Sequence, residues 1–280
     1  MPTILDTLKK GTEYLEKYQI DEARLNMEHL IAHTLKVERM QLYLDFDRPL
    51  IEKELETLRG LTKRRSQGEP LQHLLGTVEF CSLEFKTDSR ALIPRPETEE
   101  LADILVKRTW KSPLQALDMG CGSGVLGLTL ARQIEGSALT LSDVSPTALE
   151  LTRENAEELD LTDKVALLES DLFSKIEGRF DLIVANLPYI PNREQTELSK
   201  EVQRDPALAL YGGEIGTEIM ANFLTDAPSF LNDGGMIALE HGIDQAESLR
   251  ELAEEAGFVE VVTKKDINGI ERFLFATKSA

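Results

Sequence analysis

Cysteine is scarce. Cys81 and Cys121 are the only two in 280 residues, far apart and without ligand spacing. This excludes a disulfide framework, argues against a structural zinc site and fits a reducing cytoplasm. Basic charge is also in deficit: 31 Lys and Arg stand against 50 Asp and Glu, for a formal charge of −19. A protein that grips phosphates needs a basic face, and this balance opposes one. Lys63-Arg64-Arg65 and Lys264-Lys265 are local exceptions and read as solvated surface. The chain is expected to act on a protein or a small molecule, without direct contact to nucleic acid. No apolar run approaches the roughly 18 residues of a membrane span, so no membrane partner is expected. The opening Met1-Pro2-Thr3-Ile4-Leu5-Asp6 reaches Asp6 and Glu13 too soon for a signal peptide. Internal repeats and low-complexity segments are absent as well.

Hydrophobic content of 41% is that of an ordinary folded protein, and its spacing changes along the chain. Up to about Gly68 the period is helical. Leu5, Leu8, Leu15 and Tyr18 share one face, then Ala23, Met27, Leu30 and Ile31, then Leu55, Leu58 and Leu61. Asp21 and Asp47 are placed to start helices, and Gly68-Glu69-Pro70 ends the last. From Leu71 to Leu92 the period moves towards two. Val78, Phe80, Leu83 and Phe85 around Cys81-Ser82 predict a β-hairpin. Beyond Ile93 strands alternate with helices. Strands are expected near 115–119, 138–142, 165–169, 180–185, 234–240, 258–263 and 271–277. Such alternation means an α/β fold with a mostly parallel sheet covered on both faces. The five residues 265–269 are too few for a helical crossover, so the last two strands should pair antiparallel. Three regions follow: a helical bundle over 1–70, a β-hairpin linker over 71–92, and a large α/β domain over 93–280.

The chemistry gathers at expected strand ends. Leu117-Asp118-Met119-Gly120-Cys121-Gly122-Ser123-Gly124 is a glycine-rich turn between a strand and a helix. Its glycines permit positive φ and close approach of a ligand. The dinucleotide fingerprint and the phosphate loop are both incomplete here. Asp143 closes the next strand, where a carboxylate either accepts two ribose hydroxyls or caps the following helix. Ser170-Asp171-Leu172-Phe173 follows the third strand. There Asp171 either accepts from an exocyclic amine beside Leu172 or is a turn acid before a packed Phe173. Loop and acid together favour a nucleoside ligand. Asn186-Leu187-Pro188-Tyr189 ends the fourth strand and offers an amide oxygen, a backbone carbonyl and a flat ring. That set suits a planar group bearing –NH₂. His29 and His33 have zinc-protease spacing, but Leu30 stands where the glutamate base belongs, so they read as helix residues. His241 reads as structural, and no metal is expected.

Taken together, these segments resemble the class I S-adenosylmethionine-dependent methyltransferases that modify planar amino groups. A closer resemblance rests on Leu92-Ile93-Pro94-Arg95-Pro96-Glu97-Thr98-Glu99-Glu100-Leu101. Pro70-Leu71-Gln72-His73-Leu74-Leu75-Gly76 precedes it, and Glu240-His241-Gly242 with Gln245 and Asp266 with Gly269 and Arg272 follow. On these the chain is similar to the HemK/PrmC-type release factor glutamine methyltransferases. The resemblance implies a seven-stranded Rossmann-like domain behind a helical bundle that recognises substrate. It implies methylation of the amide nitrogen of Gln in a Gly-Gly-Gln motif, with S-adenosylmethionine as cofactor. The cofactor would meet Asp118, Gly120, Cys121, Gly122, Ser123, Gly124, Asp143, Asp171, Leu172 and Asn186. Asn186, Leu187, Pro188 and Tyr189 would carry the reaction. The partner implied is a peptide chain release factor in the cytoplasm, met by a monomer. Leu187 departs from the usual Asn-Pro-Pro-Tyr but keeps the backbone carbonyl. Asn-Leu-Pro-Tyr also resembles the motif of ribosomal-RNA adenine methyltransferases, and ribosomal-protein glutamine methyltransferases share most of the loop. Those two are the alternatives.

Overall fold

Order begins at Thr3, whose hydroxyl accepts from the Asp6 N–H at 3.1 Å while Asp6 accepts from the Thr3 N–H at 3.0 Å. This reciprocal cap satisfies two donors that a helix start leaves orphaned, and α1 (Ile4–Lys17) follows. In the computed structural model, which describes residues 1–279, α2 (Ala23–Leu35), α3 (Glu52–Ser66) and α4 (Leu71–Leu75) join it. They make the first of two units, Met1–Thr77 together with Ser199–Arg204. Its core holds Ile4, Leu8, Leu15, Met27, Leu30, Ile31 and Leu58. Tyr18, expected on the face of Leu8 and Leu15, is exposed, and Ile4 is buried instead. Neither Asp21 nor Asp47 caps a helix: α2 starts after Glu22, and α3 after Ile51, whose N–H donates to Glu54. His29 is half-buried and His33 exposed.

Leu71–Leu75, expected to be extended, is a single helical turn. Pro70 sets its start, Gly76 at φ +78 ends it, and Leu74 is buried in the helical core. Arg65 on α3 is also buried. It donates to Asn26 Oδ1 at 2.6 Å and to the Glu69 carbonyl at 3.2 Å, and it pairs with Glu201. Glu201 thereby joins the segment Ser199–Arg204 to this unit, and Arg204 adds a bond to the Gln67 carbonyl at 3.4 Å.

The second unit comprises Val78–Leu198 and Asp205 onward. The hairpin of β1 (Thr77–Phe80) and β2 (Leu83–Lys86) turns at Cys81 and Ser82, both at positive φ, as a two-residue loop between twisted strands requires. Phe80 and Phe85 meet edge to face at 6.1 Å inside this unit's core. There follow α5 (Pro96–Val106), β3 (Leu114–Met119), α6 (Val125–Gln133), β4 (Ser137–Asp143), α7 (Pro146–Glu158), β5 (Val165–Glu169) and β6 (Phe180–Asn186). Then come β7 (Ile190–Pro191), β8 (Tyr211–Gly213), α8 (Glu218–Asp226), β9 (Leu231–Glu240), α9 (Ala246–Glu255), β10 (Phe258–Lys265) and β11 (Glu271–Lys278).

Seven strands form one sheet in the order β10-β11-β9-β6-β3-β4-β5. The five from β9 to β5 run parallel, and β11 is antiparallel to both neighbours. The reversal is made by Asp266, whose Oδ1 accepts from the Asn268 and Ile270 N–H groups, and by Gly269 at φ +81. Alternate residues of the central strands enter two cores. Ala116, Leu182 and Val184 pack on one face, and Leu117, Ile183 and Ala185 on the other. Burial on both faces explains why these strands read as continuous apolar runs. The chain runs from β3 outward to β5, then returns to β6 on the far side of β3. That reversal opens a crevice at the carboxyl ends of β3 and β6.

Candidate active site

The crevice is a cavity of about 360 Å³, within the size range of small-molecule sites. β3 delivers the glycine turn to it. Gly120, Gly122 and Gly124 stand at φ +71, +57 and +82, where a β-carbon is strained. A β-carbon on Gly120 would also lie 2.9 Å from Leu187 Cδ2. Gly120, Cys121, Gly122 and Ser123 line the cavity; Gly124 does not, and sits at the start of α6 against Thr152. Asp118, 1% exposed, accepts the Gly127 N–H at 2.8 Å and so fixes α6 to β3. Burial pushes its carboxyl up to about 7, against that hydrogen bond, and neighbouring Asp143 adds to the rise. Burial likewise raises the Cys121 thiol well above its ordinary range, which disfavours the thiolate.

Asp143 ends β4 at the cavity wall. One oxygen accepts the Gly122 N–H at 2.9 Å and the other the Ser145 N–H at 2.8 Å. Both acceptors keep spare lone pairs, since a carboxylate has about four. Burial raises its pKa, and the two N–H groups oppose the rise. Asp143 does not cap α7; the Ser145 hydroxyl does, accepting from Ala148. Asp171 and Leu172 also line the cavity after β5.

Charge at the cavity is mixed, three acids against two arginines. Asp118, Asp143 and Asp171 line it with Arg90 and Arg95. Arg90 is already paired with Asp88 and Glu154, and Arg95 donates to the buried Asp205 at 2.6 Å. With both arginines engaged, Asp143 and Asp171 are the acids left to accept from a ligand's hydroxyl or amino groups.

β6 delivers Asn186, Leu187 and Pro188 to the same cavity. Asn186 Nδ2 donates to Thr98 Oγ1 at 3.0 Å, and that hydroxyl donates to Glu240 Oε2 at 2.7 Å. Glu240 is 2% exposed, and burial pushes its carboxyl up to about 7, with hydrogen bonds from Thr98 and from Asn186 itself opposing. Leu187 is buried against the sheet's core. Tyr189 does not line the cavity. Its ring packs over Gly242, where an added β-carbon would lie 3.2 Å away, and burial raises its hydroxyl pKa.

The loop is clamped from behind. Gln245 Nε2 donates to the Tyr189 carbonyl at 2.9 Å while its Oε1 accepts the Gly242 N–H at 2.8 Å. β7 pairs with β8, and Gly212 and Gly216 bring backbone against the Pro188 and Tyr189 carbonyls, where a β-carbon would collide. His241 is fully buried, with Nδ1 2.9 Å from the Gly242 carbonyl, and takes no place in the cavity. Sequence reasoning gave no role to Thr98, Gln245, Gly212 or Gly216. Thr98 and Gln245 stand inside quoted motifs, whereas Gly212 carries no local signal beyond Tyr211-Gly212-Gly213.

Two family models match the chain: the PrmC N-terminal domain over residues 6–76 and the methyltransferase small domain over 97–267. The release factor glutamine methyltransferase of Geobacter sulfurreducens is 39% identical, covering 96% of this chain and 95% of its own. That of Chlorobaculum tepidum is 37% identical over 97% and 96%. Among solved structures, a T. thermophilus 16S rRNA N2 G1207 methyltransferase in complex with AdoMet and guanosine aligns with a TM-score of 0.52. It is 23% identical and covers 72% of this chain and 49% of its own, a likeness of fold.

Proposed function

Because the chain belongs to the release factor glutamine methyltransferase family, we propose that it transfers a methyl group from S-adenosylmethionine to a glutamine side-chain amide of a peptide chain release factor. The substrate glutamine is that of a Gly-Gly-Gln motif. The observation that carries this reading is the convergence on one cavity of the Asn186 carboxamide, the Leu187-Pro188 backbone and three acids. Gly120 to Ser123 and Asp143 would hold the nucleoside, with Asp171 and Leu172 beside its base. The cofactor, when bound, supplies an electrophilic methyl on a positively charged sulfur.

The amide nitrogen of glutamine is a weak nucleophile because its lone pair is delocalised into the carbonyl. Placement therefore matters more than a strong base. Asn186 Oδ1 and the Leu187 carbonyl accept the two amide hydrogens and orient the nitrogen. Holding reacting atoms at ~3–3.5 Å in line supplies several kcal/mol of barrier reduction. The same two acceptors stabilise positive charge that develops on nitrogen, as preorganised dipoles do, and the nitrogen then sheds one of its two protons, so that N–CH₃ replaces N–H. Tyr189 acts through the loop: its carbonyl is held by Gln245 and its ring by Gly242, which fixes the backbone that Leu187 presents. The helical unit serves as a second grip on the protein substrate. The chain works as a monomer and does not contact nucleic acid directly.

Mass spectrometry of a release factor incubated with the protein and methyl donor tests the reading. A gain of one CH₂ on the Gly-Gly-Gln glutamine is expected, absent when that glutamine is changed to Ala. Asn186→Ala should retain less than about a tenth of the wild-type rate, a loss above ~1.4 kcal/mol. An untouched release factor beside methylated adenine in ribosomal RNA would overturn it.

A further inference from the structure

The carboxamide of Asn186 has two orientations of similar shape, and only one presents an acceptor to a substrate amide. The structure contains a device that selects between them. Asn186 and Glu240 are register partners on adjacent parallel strands, β6 and β9, so their side chains emerge side by side. Thr98 sits opposite, buried in the first turn of α5, which Pro96 starts. Its hydroxyl has one proton, given to Glu240 Oε2 at 2.7 Å. That leaves only lone pairs facing Asn186, and Asn186 Nδ2 donates to them at 3.0 Å. A flipped carboxamide would set oxygen against oxygen. This direction requires Glu240 to be ionised, because a carboxylate only accepts whereas a neutral acid could donate to Thr98 and reverse the relay.

Resting on the methyl-transfer reading above, we infer that Thr98 and Glu240 are positioning residues: their relay turns the Asn186 nitrogen away from the cavity and fixes its oxygen as the acceptor for the substrate amide. Neither needs to touch the substrate. The relay also accounts for a buried carboxylate with almost no exposure beside a site that has no other use for it. Polar groups buried in this way are stable only when each donor meets an acceptor, so ionised Glu240, which can only accept, sets the polarity of the chain of bonds.

Three variants and two measurements test this. Thr98→Val keeps the shape and removes the hydroxyl, Thr98→Ser keeps the hydroxyl, and Glu240→Gln adds a competing donor. On a whole release factor, Thr98→Val should lower kcat roughly 10- to 100-fold, less than the ~10²–10³ of a lost direct donor because Thr98 acts only through Asn186. KM for the methyl donor should stay within about threefold, since uniform binding is untouched. Thr98→Ser should restore kcat to within about threefold, and Glu240→Gln should fall between wild type and Thr98→Val. Independently of activity, the side-chain NH₂ of Asn186 in ¹⁵N-labelled protein should exchange slowly in wild type and Thr98→Ser, and fast in Thr98→Val. Wild-type kcat in Thr98→Val, failure of Ser to rescue, wild-type kcat in Glu240→Gln, or an exchange rate indifferent to Thr98 would each overturn the relay. If the wild-type protein fails to methylate the release factor, the functional reading falls while the exchange measurement still decides whether the relay exists.

Discussion

At Leu187 the side chain and the backbone have separate tasks. The side chain is buried in the core on one face of the sheet and backs onto Gly120. The carbonyl is the proposed second acceptor for the substrate amide, and any residue supplies one. Leu187→Pro, which restores the commoner family sequence, should therefore keep kcat within about threefold of wild type, because uniform and transition-state contacts through the carbonyl persist. It should also lower stability, since proline fills less of a site closed on several sides. A full Leu→Ala truncation costs ~2–5 kcal/mol, and the ring keeps most of the carbon, so about 1–2 kcal/mol is expected. Thermal unfolding and steady-state kinetics read the two effects apart. A well-folded variant that has lost its activity would show that the Leu187 side chain or N–H takes part in the chemistry.

Among the elements, the short pair β7 and β8 matters more than its size suggests. It pins the backbone just after Pro188, and the closeness of the two chains depends on Gly212 having no β-carbon. In Gly212→Ala the added carbon meets the Pro188 and Gly216 carbonyls, backbone atoms that cannot swing aside. The expected outcome is a loop displaced by some tenths of an ångström and a kcat at least about tenfold lower, as misplacement of reacting groups commonly causes. Cofactor affinity by calorimetry should change little, because Gly212 does not line the cavity. Wild-type kcat in Gly212→Ala would show that the loop tolerates the shift.

The same loop marks what could and could not be read from the sequence. The strands were legible because burial on both faces leaves long apolar runs, and the antiparallel end was legible because a five-residue connection admits nothing else. The glycine turn, Asp143 and Asn186 lie at strand ends, as the sequence pattern expects, because strand ends are a local property. Thr98, Gln245 and Gly212 were given no role, because each acts through a partner distant in the chain. Thr98 pairs with residues 88 and 142 positions away, and Gln245 with one 56 away. Leu71–Leu75 was misread as extended because a single turn between Pro70 and Gly76 is too short to show a helical period.

For the whole molecule, the question is how a glutamine reaches a socket at a sheet edge. On the proposed reading only the glutamine side chain enters the cavity, and glycines before it let the backbone approach closely. Such a contact is small. It must be supplemented by binding elsewhere on the partner if the amide is to be held still during transfer. The helical unit, matched by its own family model over residues 6–76, supplies a separate folded surface with its own core. The segment Ser199–Arg204 adds to it, with Glu201 paired to the buried Arg65. A short Gly-Gly-Gln peptide is therefore expected to be a poor substrate, with kcat/KM at least about 100-fold below that of the intact release factor. Part of the loss should fall on kcat, because remote binding energy is used to orient the reacting group. Parallel single-turnover assays with peptide and intact factor, at the same methyl-donor concentration, measure this. Equal kcat/KM for the two would mean that the socket alone selects its substrate and that the helical unit has some other task.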